Sequence, residues 1–198
     1  MRVLPIVFLT ACRAPHDSAP RPSDPNVPTE PTDPTSTPSP YPDDVTAFVG
    51  VEVLTMRDDQ PVLHDRTVIV HDGRILDLVD ATTALPESAT IIAGDGRFLM
   101  PGLIDAHTHV WYEGELTLLV ANGVTATRNL FGDPLQRTWR DEIAAGERFG
   151  PTLVTAGPIV DGSPPSWPTS DVVIDAADAA AVVADQVAQG YDLIKVYN

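Results

Sequence analysis

The chain has 198 residues, of which 28 are acidic and 12 are basic, so its formal net charge at pH 7 is −16. This charge argues against electrostatic binding to nucleic acid or to an anionic bilayer. The single cysteine, Cys12, excludes an internal disulfide and any cysteine-rich zinc site. Metal ligands would therefore be histidine, carboxylate or a less common group.

The N-terminus has the features of a bacterial lipoprotein signal. A positive start, Met1-Arg2, precedes a mainly apolar stretch at residues 3–9, and Leu9-Thr-Ala-Cys12 resembles a lipobox. By that resemblance residues 1–11 are a signal peptide, and a lipidated Cys12 anchors the mature protein to a membrane of the bacterial cell envelope, on its periplasmic or outer-membrane face. A buried cysteine in a first strand fits poorly, because the residues that follow Cys12 cannot pack.

Residues 12–45 are rich in Pro, Ser, Thr and Asp and contain almost no aliphatic side chains. Such a segment cannot bury enough surface to offset its ordering entropy, and its prolines favour extended polyproline II. We expect a disordered tether. A docking ligand for a proline-binding partner is the alternative, but a position directly behind a lipobox favours the tether.

Residues 46–100 are predicted to form short β-strands joined by tight turns. The predicted strands are Phe48–Leu54, Thr67–His71, Arg74–Val79, Ala89–Ala93 and Arg97–Met100. Asp72-Gly73 predicts a hairpin between the second and third strands, and Asp95-Gly96 predicts another between the last two. His64 and His71 lie in this part of the chain, and we assign them no role because they are far in sequence from the strands that follow.

From residue 101 onward strands and helices alternate, which is typical of βα units and a parallel sheet. The predicted helices are Glu113–Asn122, Gln136–Ala145 and Ala176–Gln189, and the predicted strands are Leu103–Val110, Gly123–Asn129, Pro151–Ala156 and a fourth that carries Lys195. The fold class is therefore α/β. Four strands are half of the number that closes a (β/α)8 barrel.

The first of these strands ends in a His-x-His motif. Residues i and i+2 of a strand point to the same face, so His107 and His109 are expected to project together at the C-terminal end of the strand and to share one metal ion. The alternative is a pair of half-buried histidines that only cap the strand.

Lys195 is the only lysine in the chain, and the other eleven Lys/Arg residues are arginine. It lies in an apolar run, Tyr191–Tyr197, where a lone ammonium is costly, so it is expected to perform chemistry that arginine cannot. A lysine that snorkels at a strand end is the alternative.

Three segments resemble the metal-dependent amidohydrolase superfamily, in its imidazolonepropionase-like and Xaa-Pro dipeptidase-like branch. They are DGRI at 72–75, MPGLIDAHTH at 100–109 and GYDLIKVY at 190–197. The resemblance covers residues 46–198 and implies a small β-sandwich at 46–100 followed by the first four βα units of a (β/α)8 barrel at 101–198. The family's later metal-binding histidines and catalytic aspartate have no counterpart here. We therefore expect an N-terminal fragment of a longer enzyme, inactive by itself.

The resemblance also implies the site. His107, His109 and a carboxylated Lys195 would hold one or two divalent ions, with zinc expected, and Asp105 would orient a ligand histidine as a hydrogen-bond acceptor. The candidates to line a small-molecule substrate are Trp111, Tyr112, Arg128, Asn129 and Tyr197. The implied activity is hydrolysis of a carbon–nitrogen bond by metal-activated water. Within enzymes, a mononuclear deaminase or a phosphoester hydrolase stays open, and the competing class is a non-catalytic lipoprotein that has lost the second half of its site.

Overall fold

The computed structural model describes residues 39–197 and divides them into two compact units, 39–99 and 100–197. The predicted signal peptide, Cys12 and most of the predicted tether lie outside the described residues. Within the described range, no helix is long and apolar enough to cross a membrane. The architecture is mixed α/β, with parallel and antiparallel strands and three α-helices among these residues.

The first unit is one mixed sheet. Its strands are β1 (Thr46–Leu54), β2 (Val62–His71), β3 (Arg74–Asp80), β4 (Thr90–Ala93) and β5 (Phe98–Leu99). They are arranged in the order β3-β2-β1-β4, with β5 also paired to β1. The predicted hairpin between β2 and β3 is confirmed: Asp72 and Gly73 both have positive φ, 49° and 68°, which is the backbone of a two-residue primed turn. All five strands form this single sheet, so the described residues do not include the second sheet of the expected sandwich.

The second predicted hairpin is wrong, because β4 and β5 both run parallel to β1 instead of pairing with each other. The Gly94 amide donates to the Val49 carbonyl at 2.6 Å, and the Gly96 amide donates to the Gly50 carbonyl at 3.1 Å. The positive φ at Asp95 and Gly96 therefore produces a kink between β4 and β5, opposite the bulge in β1 near Gly50. After the kink the chain continues in the same direction.

The second unit begins with a parallel sheet in the order β6-β7-β8. Its elements are β6 (Leu103–Thr108), α1 (Glu113–Ala121), β7 (Val124–Asn129), α2 (Pro134–Ala145), β8 (Thr152–Thr155), the short β9 (Val160–Asp161) and β10 (Asp171–Val172), and α3 (Ala176–Ala188). This series confirms the predicted alternation of strands and helices. Because the three strands of the sheet are parallel, their C-terminal ends meet at one edge, where His107 and His109 also lie.

Local sequence signals explain where helix α2 begins and ends. The Asp133 carboxylate accepts a hydrogen bond from the Leu135 amide at 2.7 Å, and the Gln136 side chain accepts one from the Asp133 amide at 2.8 Å. This is a capping box, followed by Pro134 in the first turn, and the helix ends at Gly146 with a φ of 77°. Helices α1 and α2 are joined to the sheet by a buried apolar cluster that consists of Val110, Leu116, Trp139 and Leu153.

The fourth predicted strand is present only as isolated bridges, Ala156 to Leu193 and Val160 to Val196. Gly157 and Pro158 interrupt the partner segment, and proline has no amide hydrogen to donate to a ladder. Pairing resumes on either side, where the Val160 amide donates to the Lys195 carbonyl at 2.8 Å. Lys195 is therefore held beside the C-terminal end of the sheet without lying in a continuous strand.

Candidate functional site

The two histidines of the His-x-His motif come together at the end of β6. Their ring centroids are 5.4 Å apart and the ring planes meet at 68°. His107 is exposed and His109 is half-buried. Burial lowers the pKa of His109, and the electrostatic effects of His107 and Lys195 lower it further. His109 is therefore held in the neutral form, which is the form of imidazole that binds metal ions.

The Nδ1 atom of His109 is buried and has no hydrogen-bond partner. A buried polar atom without a partner is costly, and in native proteins such an atom is often completed by an ion or a bound molecule. The unpartnered Nδ1 atom is therefore consistent with a histidine that binds a metal ion or a small molecule.

Lys195 lies near enough to His109 for its charge to contribute to the lowered pKa of that imidazole. Its side chain is half-buried, and its Nζ atom lies 5.1 Å from the centroid of the Tyr197 ring, within the range of a cation–π contact. Among the three causes that lower the pKa of His109, burial is the largest and the charge of Lys195 is the smallest. The rings of His107 and His109 are thus in contact, and Lys195, 86 positions after His109, acts on His109 through its charge.

Two arginines of α2 hold the turn that precedes Lys195, and the sequence analysis did not identify them. Arg140 Nη1 lies 3.0 Å from the Asp192 carboxylate and donates to the Gly190 carbonyl at 2.8 Å. The same carboxylate accepts from the Thr155 amide at 2.9 Å, and the Arg137 guanidinium lies 5.1 Å from the centroid of the Tyr191 ring. The only sequence signal was the three-residue spacing of the two arginines, which places them on one helix face.

The other predicted residues are dispersed around this site. The Asp105 carboxylate accepts from the backbone amide of His107 at 3.0 Å, so it stabilises the strand end and does not contact an imidazole ring. Arg128 is exposed, and its Nε atom donates to the Ala106 carbonyl at 2.7 Å, which ties β7 to β6. Tyr112 lies at the start of α1 with 74% of its surface exposed.

Asn129 is fully buried and does not line an open surface. Its Oδ1 atom accepts from the Val110 amide at 3.0 Å. Its Nδ2 atom donates to the Phe131 carbonyl at 2.8 Å and to Thr155 Oγ1 at 3.0 Å. This side chain connects the ends of all three parallel strands, so the structure gives it a structural role where the sequence predicted a substrate contact.

The metal-binding capacity of the site is partial. No group of three or more His, Cys, Asp or Glu side chains that could hold a metal ion occurs in residues 39–197. The two histidines fit part of a ligand set, because His109 is neutral and has an unpaired buried nitrogen. On the α1 side, His109 also borders a cavity of about 400 Å³, whose lining is Thr108, His109, Val110, Glu115, Leu118, Leu119 and Asn122.

Comparisons with known proteins point to one superfamily. An imidazolonepropionase of Saccharopolyspora erythraea is 36% identical over 124 residues. The structure of the bottromycin amidohydrolase superposes with a TM-score of 0.64 at 28% identity. A structure from Bifidobacterium longum that is named as a prolidase superposes with a TM-score of 0.69, also at 28% identity. These similarities support the amidohydrolase superfamily. No protein-family model matches the chain.

The similarity covers only part of each relative. The match to the imidazolonepropionase spans 55% of this chain and 32% of that protein. The two structural matches span 80% and 77% of this chain but only 34% and 40% of the solved chains. The chain therefore spans about a third of the length of the curated relative.

Proposed function

We propose that this protein is a metal-dependent hydrolase that acts on a carbon–nitrogen bond of a small molecule, other than an ordinary internal peptide bond. The observation that carries the proposal is the pairing of His107 with a neutral His109 whose Nδ1 atom is buried and unpartnered, beside Lys195. The relatives named imidazolonepropionase and the structures named amidohydrolase and prolidase support the bond type.

In this proposal His107 and His109 bind one or two divalent ions, with zinc expected. When bound, such an ion lowers the pKa of a water molecule toward neutrality and polarises a carbonyl group. Asp105 holds the His107 backbone, and the Asn129 hydrogen bonds hold the Val110 backbone that follows His109. The two imidazoles are therefore positioned before any ligand binds, which limits the reorganisation required during the reaction.

Lys195 would contribute as a carbamate. Its neutral amine forms a nitrogen–carbon bond to carbon dioxide and releases one proton, which produces an anionic oxygen ligand. An arginine cannot do this. The contacts of Arg140 and Arg137 with the Gly190–Asp192 turn position the segment that carries Lys195.

The proposal includes a longer polypeptide and a membrane tether. A catalytic zinc site uses three protein ligands, and residues 39–197 contain no group of three or more His, Cys, Asp or Glu side chains that could hold a metal ion. Further ligands and a carboxylate base would come from a chain of which this is the N-terminal part, with residues 101–198 as the first half of a (β/α)8 barrel. The small share of each relative that is covered supports this expectation. The lipobox-like Leu9-Thr-Ala-Cys12 supports a lipid anchor in the cell envelope.

The metal content of the expressed protein tests the proposal. We expect the longer polypeptide to retain a divalent metal after dialysis and its double variant His107→Ala, His109→Ala to lose it, as measured by elemental analysis. The matched control is His64→Ala with His71→Ala, which removes two histidines from the first unit. Equal metal content in all three proteins would contradict the assignment of these ligands.

Hydrolysis separates the enzyme from the alternative of a non-catalytic binding protein. In the longer polypeptide, we expect Lys195→Arg to abolish hydrolysis of N-acyl amino acids although the positive charge is kept, and Lys195→Ala to regain part of it with added acetate, which can stand in for the carbamate. Full activity of Lys195→Arg would refute the carbamate. Metal binding without hydrolysis of any amide would favour the binding protein, because the described residues provide no third ligand of the common types.

A further inference from the structure

Three aromatic rings form a continuous surface next to His109, and we name it the aromatic shelf: Trp111, Phe131 and Trp167. The centroids of Trp111 and Phe131 are 4.8 Å apart, and those of Phe131 and Trp167 are 5.6 Å apart. The His109 ring stacks on Trp111 at 6.0 Å and meets Phe131 edge to face at 6.2 Å. Each distance is in the range of favourable aromatic contact.

Both tryptophans of the shelf are exposed, and Phe131 between them is half-buried. Trp111 and Trp167 keep 44% and 43% of their surface exposed, whereas Trp139, which belongs to the buried cluster under the helices, is only 4% exposed. Packing alone explains Trp139. It does not explain two tryptophans that meet a third ring at the site and remain open to solvent, an arrangement typical of binding surfaces.

The backbone at the first two shelf residues is held by hydrogen bonds to polar side chains. The Trp111 amide donates to the Glu115 carboxylate at 2.7 Å. The Phe131 carbonyl accepts from the buried side chain of Asn129 at 2.8 Å. Each ring therefore follows a different strand of the parallel sheet and is fixed to the scaffold at its own backbone.

The loop that carries Trp167 is held in the same way by a buried carboxylate. Asp161 is 6% exposed and accepts hydrogen bonds from the Gly162 amide at 2.8 Å and the Ser166 amide at 2.7 Å. The second of these contacts fixes the residue directly before Trp167. The three rings are thus pre-organised, and a ligand that binds to them loses little free energy in ordering the protein.

We propose that the aromatic shelf is a subsite for a flat, apolar group joined directly to the amide that is cleaved, such as an aromatic acyl group. The contacts of His109 with both Trp111 and Phe131 place the shelf within one ring's length of the histidine pair. In this proposal, a planar group stacked on the shelf carries its carbonyl toward His109, whose ring contacts two of the three shelf rings. This assignment of substrate class rests on the proposed hydrolase function, whereas the binding of a flat group to the shelf does not.

N-benzoylglycine and N-acetylglycine test the shelf, because they share the amide and the carboxylate and differ only in a phenyl ring in place of a methyl group. In calorimetric titrations of the 198-residue protein, we expect benzoylglycine to bind roughly tenfold more tightly, from the additional apolar area and ring stacking. Trp111→Ala and Trp167→Ala should each remove most of this preference, and Trp111→Phe should retain part of it.

The matched control is Phe149→Ala, which removes an aromatic ring that is 67% exposed and precedes β8, at the opposite end of that strand from the site. It should leave the preference unchanged. Circular dichroism shows whether each variant is folded. Equal binding of the two ligands by the wild-type protein, or a preference that survives in both folded tryptophan-to-alanine variants, would overturn the shelf.

Release of glycine by the longer polypeptide proposed above, measured with an amine-reactive dye, separates the two proposals. A tryptophan-dependent preference for benzoylglycine with no glycine release would leave the shelf as a binding site and refute the hydrolase function. Glycine release from both ligands with no preference would support the hydrolase and refute the shelf. Release from both, with faster turnover of benzoylglycine that is lost in Trp167→Ala, would support both.

Discussion

Replacing Asn129 with alanine should destabilise the second unit strongly without touching the proposed ligands. The side chain is fully buried and makes three hydrogen bonds, to the Val110 amide, the Phe131 carbonyl and the Thr155 hydroxyl. Three lost bonds at about 1 kcal/mol each and about 1–3 kcal/mol for leaving the buried Val110 amide unpaired give an expected loss of about 4–6 kcal/mol. For a unit of this size, that lowers the unfolding temperature by about 10 °C or more.

Tryptophan fluorescence during urea or thermal unfolding is a selective assay for this effect, because all three tryptophans of the chain lie in residues 100–197. The matched control is Thr125→Val on the same strand. Thr125 is 1% exposed and its hydroxyl has no hydrogen-bond partner, so its replacement by a methyl group removes no bond. We expect a change within about 1 kcal/mol of zero, or a gain in stability.

The free energies of unfolding of the two variants together test whether the Asn129 hydrogen bonds stabilise the second unit. If Asn129→Ala and Thr125→Val change the free energy of unfolding equally, the Asn129 hydrogen bonds contribute nothing beyond packing, and the argument that they hold the strand ends together is refuted. If only Asn129→Ala is destabilised and its metal content also falls, the pre-organisation of the histidine pair by this residue is supported.

Three further predictions address other parts of the chain. Gly132→Ala should be destabilising, because a Cβ atom there would lie 1.7 Å from a backbone carbonyl oxygen. Gly114 lies in open space on α1, so Gly114→Ala should increase the free energy of unfolding by up to about 1 kcal/mol. Urea unfolding measures both variants, and equal effects would refute the steric argument. The pKa of Asp161 is lowered chiefly by the hydrogen bond from the Ser166 amide, so its stabilising effect is present above its unfolded pKa of about 3.9 and is lost as pH falls through the folded value. The stability gap between wild type and Asp161→Asn, measured by urea unfolding, should therefore narrow from pH 7 to pH 3, and a constant gap would contradict this. Expression in a bacterium with the native leader should give a membrane-bound protein labelled by palmitate, and labelling that persists in Cys12→Ser would exclude Cys12 as the lipidation site.

Local patterns in the sequence were sufficient for most of the elements and for the histidine pair, but not for the Asp95-Gly96 turn or the fourth predicted strand. The β-rich runs and the Asp72-Gly73 turn predicted the first hairpin, and the alternation after residue 101 predicted the helices and strands within a few residues. The i, i+2 spacing of His107 and His109 predicted that the rings would meet, because strand geometry alone places such residues on one face. Each of these features depends on residues that are close in sequence.

The features that the sequence did not reveal depend on residues far apart in the chain. Local sequence marked Asp95-Gly96 as a turn, but only the pairing of β4 and β5 with β1 decided that the chain continues without reversing. Asn129 ends a strand, and the sequence predicted that residues at strand ends line the substrate. Instead its side chain is buried and bonds to Val110 and Thr155, which are 19 and 26 positions away.

The aromatic shelf was also decided by tertiary structure. Its three rings come from loops after different strands, and no local period relates Trp111, Phe131 and Trp167. What the sequence determined by itself was the type of each element and the side chains it presents. What only the tertiary structure decided was which of those side chains meet, because contacts between distant segments depend on the packing of the whole unit and not on the periodicity of any one of them.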